Sequence, residues 1–194
     1  MQKLTYYTAM RPYFGETVSG DAVVVREVDH GLFVGIIDVL GHGREAHEHA
    51  QVIMRFLQEE TSVEPVTVIN RLHEHLLGER GSAAGLCFID GKAGTLRYTG
   101  VGNTSIRIFG RREVHLISQD GVLGHRMRPA RTESARLSPE DVVVFYTDGV
   151  SSHFRLDDYP KLHEDTVRAI ASTIVYRFGK RHDDVTCIAV RYER

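Results

Sequence analysis

The sequence has few cysteines, no long apolar run and no excess of charge of one sign, and each absence excludes a class of protein. Only Cys87 and Cys187 occur, both inside apolar stretches, which predicts buried thiols and neither a disulfide nor a nucleophile. No run approaches the length that spans a bilayer, and residues 1–7 lack the apolar centre of a secretory signal. We therefore expect a cytoplasmic protein without a membrane association.

The charges that are present are mixed along the whole chain. The formal net charge is −2, and no basic stripe is available to neutralise a phosphate backbone, so nucleic-acid binding is not expected. At 194 residues the chain suits one domain with a substantial core. We expect a single domain over residues 1–194, and a monomer.

Hydrophobic periodicity predicts strands and helices in a characteristic order. Many consecutive strands with helices grouped between them indicate an α+β fold, and two antiparallel sheets sandwiched between helical layers fit this order. The predicted strands cover 20–28, 31–38, three or four runs within 82–118, 131–137, 142–147 and 185–192, and the predicted helices cover 44–60, 65–78 and 162–178.

Aspartates stand at the ends of several predicted strands. Asp21 begins one strand and Asp38 ends the next, while Asp148 follows a later strand and Asp183 and Asp184 precede the last one. A partly desolvated carboxylate is costly, and a cluster of them repels itself unless cations compensate. Oxygen ligands favour Mg²⁺ or Mn²⁺, and two such ions suit the charge of four carboxylates and can activate a water for phosphoryl transfer.

Each aspartate alone has an ordinary explanation, because Asp29-His30-Gly31 and Thr147-Asp148-Gly149 are also common turn sequences. Their order and local contexts together resemble the metal-dependent PPM phosphatases, particularly the bacterial SpoIIE-like branch. The matching stretches are Ser19-Gly20-Asp21, Asp38-Val39-Leu40-Gly41-His42-Gly43, Tyr146-Thr147-Asp148-Gly149-Val150 and Asp183-Asp184-Val185-Thr186.

The resemblance implies a ligand set and an activity. Asp38 would bridge two Mn²⁺ or Mg²⁺ ions, and the carbonyl of Val39 would bind one of them. Asp148 and Asp183 would complete the other site, with Asp21 binding directly or through water. The implied activity is hydrolysis of phosphoserine or phosphothreonine on a protein by metal-activated water.

Some roles stay open at this stage. His42, in a glycine turn after Asp38, could protonate the leaving oxygen or could merely shape the turn. For Asp184 a supporting or solvent-facing role is expected in place of ligation. Larger PPM enzymes carry a phosphate-binding arginine near the first acidic motif; none is evident around Asp21, which leaves Arg11 and Arg44 as candidates.

The small size and bare architecture resemble the single-domain phosphatases of the bacterial stressosome. That resemblance implies phosphorylated STAS-domain proteins of the stressosome scaffold as partners. The alternative is a phosphorylated anti-sigma-factor antagonist, which carries the same STAS fold, and no residue separates the two.

Other readings compete with a phosphatase. Residues 41–46 satisfy a dinucleotide-binding glycine fingerprint, although Asp38 would oppose a pyrophosphate there. His47-Glu48-His49 and His73-Glu74-His75 suggest zinc, but residues two apart on a helix point in different directions. Residues 100–103 suggest a phosphate loop, yet a strand follows them instead of a helix. A catalytically silent phosphoprotein-binding relative would be expected to lack some of the aspartates.

Overall fold

The computed structural model describes residues 3–110, 113–151, 154 and 162–193. Within them, strands and helices follow one another in the order that the sequence predicts, with one additional strand at the start. The elements are β1 (Leu4–Arg11), β2 (Asp21–Val28), β3 (Gly31–Val39), α1 (Gly43–Glu59), α2 (Pro65–His75), β4 (Ser82–Asp90), β5 (Thr95–Val101), β6 (Ser105–Phe109), β7 (Val114–Leu116), β8 (Glu133–Arg136), β9 (Val142–Tyr146), a 3₁₀ turn (Leu162–Glu164), α3 (Val167–Phe178) and β10 (Val185–Tyr192).

The strands form two antiparallel sheets. The first sheet has the order β1-β10-β9-β6-β7 and the second has the order β2-β3-β4-β5-β8. Apolar residues of both sheets pack into one core between them, and Phe145 of the first sheet and Tyr98 of the second are fully enclosed there. The structure thus confirms the predicted pair of stacked sheets.

Helices cover the outer faces of both sheets. The apolar stripe of α1, which includes Ile53 and Leu57, packs with α2 on the second sheet. The buried residues of α3, which include Ile170 and Ile174, pack on the first sheet. The result is a four-layered α+β sandwich, the predicted fold class. Within the described ranges, no helix combines the length and apolar character needed to cross a membrane.

Two helix ends and one strand differ from the sequence-based expectation. Helix α3 begins at Val167 and not at 162, because Thr166 caps it by accepting a hydrogen bond from the Ala169 N–H at 3.2 Å. Helix α2 ends at His75, short of Gly78. Strand β1 was not predicted, because an edge strand is only partly buried and its sequence shows no clean alternation.

Candidate active site

The ends of four strands bring the predicted acidic residues to one end of the sandwich. Asp21 and Asp38 are cross-strand partners on β2 and β3 of the second sheet. Asp148 follows β9, and Asp183 and Asp184 precede β10, the neighbour of β9 in the first sheet. Carboxylates of both sheets therefore meet where the sheets face each other.

These residues border an open cleft of about 250 Å³. Five predicted site residues line it, and most of the remaining lining residues come from the loops around it. The predicted ones are Asp38, Val39, His42, Asp148 and Asp183, and the others include Tyr13, Leu40, Asn103 and His182.

The cleft carboxylates repel one another. Burial, followed by the charges of Asp148 and Asp183, raises the pKa of Asp38 to about 7. The pKa of Asp183 is raised by burial and then by Asp148. Such a site holds its negative charge poorly unless cations are present, so hard divalent cations fit this set of oxygen donors.

The carboxylates line the cleft without closing on a single point. Among the described residues, no three carboxylate, imidazole or thiol groups stand at ligand distance from one position. The fit of a divalent cation therefore rests on the donor chemistry and on the raised pKa of Asp38 and Asp183.

Asp21 lies behind the cleft and does not line it. Its side chain is buried, and its carboxylate accepts a hydrogen bond from Thr147 Oγ1 at 2.9 Å. The same Thr147 oxygen accepts from the Thr186 N–H at 3.1 Å. Burial and then the charge of Asp38 raise the pKa of Asp21 well above its ordinary value. The charge of the cleft residue Asp38 thus acts on Asp21, and the hydrogen bond from Thr147 connects Asp21 to the first sheet.

Asp184 is buried and does not face solvent, which excludes the solvent-facing alternative. Its carboxylate accepts two backbone hydrogen bonds, from Tyr13 N–H at 2.8 Å and from Gly20 N–H at 2.9 Å. It therefore fastens both ends of the loop of residues 12–20 to the turn that carries Asp183.

A close backbone contact aligns the two acidic turns of the first sheet. A Cβ atom on Gly149 would lie 1.9 Å from the carbonyl oxygen of Asp184, so only glycine fits there. The amide of Lys180 also donates to the Gly149 carbonyl at 2.7 Å. Asp148 and Asp183 are held side by side by this packing.

His42 contacts two residues that sequence reasoning missed. Its Nδ1 lies 3.0 Å from Glu16 Oε1, and its ring stacks on Tyr13 with centroids 4.1 Å apart and 12° between the planes. The imidazole is half exposed and lines the cleft. No sequence pattern links Glu16 to His42, because the contact depends on the path of the loop of residues 12–20.

The two arginines considered for phosphate binding do not line the cleft. Arg11 donates to the carbonyl of Lys180, and Arg44 is exposed and paired with Glu48 at 2.9 Å. Lys180 is a positively charged side chain close to the cleft carboxylates. Its Nζ lies 2.5 Å from the Asp148 carbonyl oxygen and 3.8 Å from Asp183 Oδ2. Arg80 supports the cleft from behind by donating to the Leu40 carbonyl at 2.9 Å.

The competing readings fail on geometry. The helix after residues 41–46 is followed by α2, and the next strand, β4, pairs antiparallel with β3, so no parallel βαβ unit exists here. A zinc site is not supported, because the described part of the chain contains no group of three or more His, Cys, Asp or Glu side chains placed to hold a metal ion. His47 Nδ1 lies 2.9 Å from the Ser19 carbonyl, and His73 accepts from the Gly124 N–H. Residues 100–103 connect β5 to β6.

Comparison with known proteins identifies the family. Residues 28–193 match the family model of stage II sporulation protein E (SpoIIE), and the chain belongs to that family. Phosphoserine phosphatase RsbX of Bacillus subtilis (strain 168) is 22% identical over 181 residues, which cover 90% of this chain and 87% of RsbX.

Solved structures agree in fold. A chain from work on the bacterial stressosome, as a modular system adapted to control secondary messenger signalling, matches with a TM-score of 0.87 and 25% identity, over 97% of this chain and 100% of that one. RsbX in complex with magnesium matches with a TM-score of 0.83 and 19% identity over 100% of both chains. The catalytic domain of serine/threonine phosphatase PstP with two manganese ions matches with a TM-score of 0.75 and 12% identity, also over 100% of both. The predicted enzyme class is therefore confirmed as a PP2C-type phosphatase that depends on a divalent metal.

Proposed function

We propose that this chain is a single-domain, monomeric cytoplasmic enzyme that removes phosphate from serine or threonine of STAS-domain stressosome proteins. The observation that carries the hydrolytic part is the one cleft that Asp38, Asp148 and Asp183 line together, with a raised pKa at Asp38. The substrate part is supported by the likeness to RsbX and to a stressosome chain.

Two Mn²⁺ or Mg²⁺ ions would be held by the cleft donors. Asp38 would bridge them, with the carbonyl of Val39, Asp148 and Asp183 as further ligands and Asp21 as an indirect one. Bound ions supply charge neutralisation for the phosphoryl group and a water of lowered pKa. The chain supplies the fixed positions of these oxygens and the exclusion of bulk water from the buried side of the cleft.

His42 would donate a proton to the departing serine or threonine oxygen. An alkoxide is a poor leaving group, so a positioned acid at this oxygen accelerates the reaction by about 10²- to 10⁴-fold. His42 lines the cleft and is half exposed, which leaves its ring accessible to a bound substrate.

A basic segment, defined as residues 125–131, begins beside the cleft and favours a protein substrate. A Cβ atom on Gly81 would meet Leu40 Cδ1 at 2.9 Å and His125 Cδ2 at 3.0 Å, which places the start of the segment beside the cleft-lining Leu40. Its basic side chains are exposed and have no ion pair among the described residues. They are His125, Arg126, Arg128 and Arg131.

The experiment compares separately phosphorylated stressosome scaffold proteins with a phosphorylated anti-sigma-factor antagonist. Phosphate release with Mn²⁺ is followed for each at equal concentration, with Asp38→Asn as the inactive control. We expect faster release from the scaffold proteins. Faster release from the antagonist would overturn the stressosome substrate and leave the phosphatase in place. Absence of release from either protein and from an aryl phosphate would overturn the proposed hydrolysis itself.

A further inference from the structure

One tight turn carries two side chains onto the imidazole of His42. The Glu16 N–H donates to the Tyr13 carbonyl at 2.9 Å, and Gly15 has φ +94°, which closes a turn over residues 13–16. Tyr13, at one end of the turn, stacks on the His42 ring, and Glu16, at the other end, bonds to its Nδ1. The imidazole is thus held by its face and by one edge.

The path of this turn is itself anchored. Asp184 accepts the Tyr13 N–H at 2.8 Å, so the turn is bonded to the residue next to Asp183. On the other side, a Cβ atom on Gly43 would lie 2.8 Å from Glu16 Oε1, which shows how closely the carboxylate packs on the backbone after His42. Gly43 also has φ +74°, a conformation that favours glycine.

We propose that Glu16 is a positioning residue for His42, which it holds in one tautomer and orientation for proton donation to the leaving oxygen. This inference rests on the proposed function, in which His42 is the acid. An ionised carboxylate only accepts hydrogen bonds, so the 3.0 Å contact requires the proton on Nδ1 of His42. The nitrogen that exchanges a proton with the substrate is then Nε2.

The other end of the turn also orients the imidazole. The stacked Tyr13 ring fixes the plane in which Nε2 points, at a centroid distance of 4.1 Å. Proton donation needs a hydrogen on Nε2 that points at the leaving oxygen, and the turn fixes the direction in which Nε2 points.

The test uses leaving groups of different basicity, because a general acid matters most where the leaving oxygen is a strong base. Wild type, Glu16→Gln and His42→Ala are assayed with Mn²⁺ on a phosphoserine peptide and on 2,4-dinitrophenyl phosphate. We expect Glu16→Gln to lower kcat on the peptide about tenfold more than on the aryl phosphate, the scale of a lost orienting contact. Glu48→Gln, an exposed carboxylate on α1, is the matched control and should keep the wild-type ratio.

A double-mutant cycle separates positioning from a general structural effect. If Glu16 acts through His42, the cost of Glu16→Gln on the peptide disappears in the His42→Ala background. ¹⁵N NMR of the His42 ring in the metal-free protein provides a readout independent of turnover. Wild type should show Nδ1 protonated in the neutral form, and Glu16→Gln should shift the ring towards a tautomer mixture.

Two results would overturn the inference. One is an equal loss by Glu16→Gln on both substrates, and the other is an unchanged His42 tautomer in that variant. Wild type that hydrolyses neither substrate would instead overturn the proposed function, while the NMR comparison would still decide whether Glu16 positions the ring. Melting temperatures of the variants within a few degrees of wild type establish that the fold is intact.

Discussion

At the residue scale, Asp38 is a carboxylate whose ionised form is opposed by both burial and neighbouring negative charges. Its carboxyl is mostly buried between Asp148 and Asp183, and its pKa rises to about 7. Asp38→Asn removes this charge while keeping the shape of the side chain. We expect Mn²⁺-dependent hydrolysis of an aryl phosphate to fall by more than about 100-fold, the scale of a lost electrostatic contact to a transition state.

The fold of this variant should survive, since the substitution relieves carboxylate repulsion. In excess chelator at pH 8, its melting temperature should equal or exceed that of wild type. Asp29→Asn, at the other end of the same hairpin, is a matched control that should retain turnover. A folded Asp38→Asn protein with near-normal rates would exclude Asp38 as the metal bridge.

The raised pKa of Asp38 also predicts how the metal-free protein responds to pH. Between pH 3.8 and about 7 the folded state holds a proton that the unfolded state releases. The free energy of unfolding should therefore decrease as pH rises through this window, by a few kcal/mol at most. Urea unfolding in chelator at several pH values measures the slope, and Asp38→Asn should flatten it. An identical slope in both proteins would contradict the pKa assignment.

Sequence reasoning located three acidic residues that line the cleft and missed the residues that support them. Asp38, Asp148 and Asp183 were found because each stands at a strand end inside a recognisable motif. Glu16 was missed because its loop has no periodic pattern that fixes its path. Arg80 was missed for a similar reason, since its partner Leu40 is forty positions away in sequence. Contacts made by long side chains across loops leave no local signal.

At the element scale, the turns before β10 and after β9 act as one unit through Gly149. Because a Cβ atom there would lie 1.9 Å from the Asp184 carbonyl oxygen, Gly149→Ala must separate the two turns. We expect a loss of about 2 to 4 kcal/mol in unfolding free energy and weaker Mn²⁺ binding. Gly78 also has a positive φ, +83°, but a Cβ atom there would have no neighbouring atom within 4 Å. Gly78→Ala should therefore lower the unfolding free energy by only about 1 to 2 kcal/mol. Chemical denaturation and calorimetric metal titration of both variants measure the difference.

The basic segment, which begins beside the cleft, predicts a salt-dependent preference for an acidic phosphoprotein surface. Replacing its arginines with glutamine should reduce kcat/KM on a phosphoprotein about 3- to 10-fold more than on an aryl phosphate at low salt. This excess should shrink as salt is raised. The variant is Arg126→Gln, Arg128→Gln and Arg131→Gln combined.

A matched control changes the net charge equally at positions outside the basic segment. It combines Arg55→Gln, Lys92→Gln and Arg136→Gln, all on exposed side chains. If the control shows the same loss and salt dependence, net charge alone would explain the effect and the basic segment would have no docking role.

At the scale of the whole molecule, the proposed metal centre would join the two sheets. Asp38 belongs to the second sheet and Asp148 and Asp183 to the first, so ions bound among them are present only in the folded state. Mn²⁺ should then raise the unfolding free energy by mass action, about 2.7 kcal/mol at one hundred times Kd. Differential scanning calorimetry over a Mn²⁺ series measures the shift, with NAD as a control ligand that should have no effect. A melting temperature indifferent to Mn²⁺ would contradict the metal centre.

The hydrogen bond from Thr147 to Asp21 has a consequence for how the sandwich opens. It links the sheets at the cleft end, at 2.9 Å, and bound ions would add a second link beside it. At the opposite end, where the turn at Asp29 connects β2 to β3, the sheets meet through side-chain packing, with Leu4 beside Gly91 and Tyr192 beside Gly94. Thermal breathing of the two layers should therefore be hinged at the catalytic end, with the far end opening first. The enzyme can then lose and regain local order at its distal turns while its reaction geometry persists.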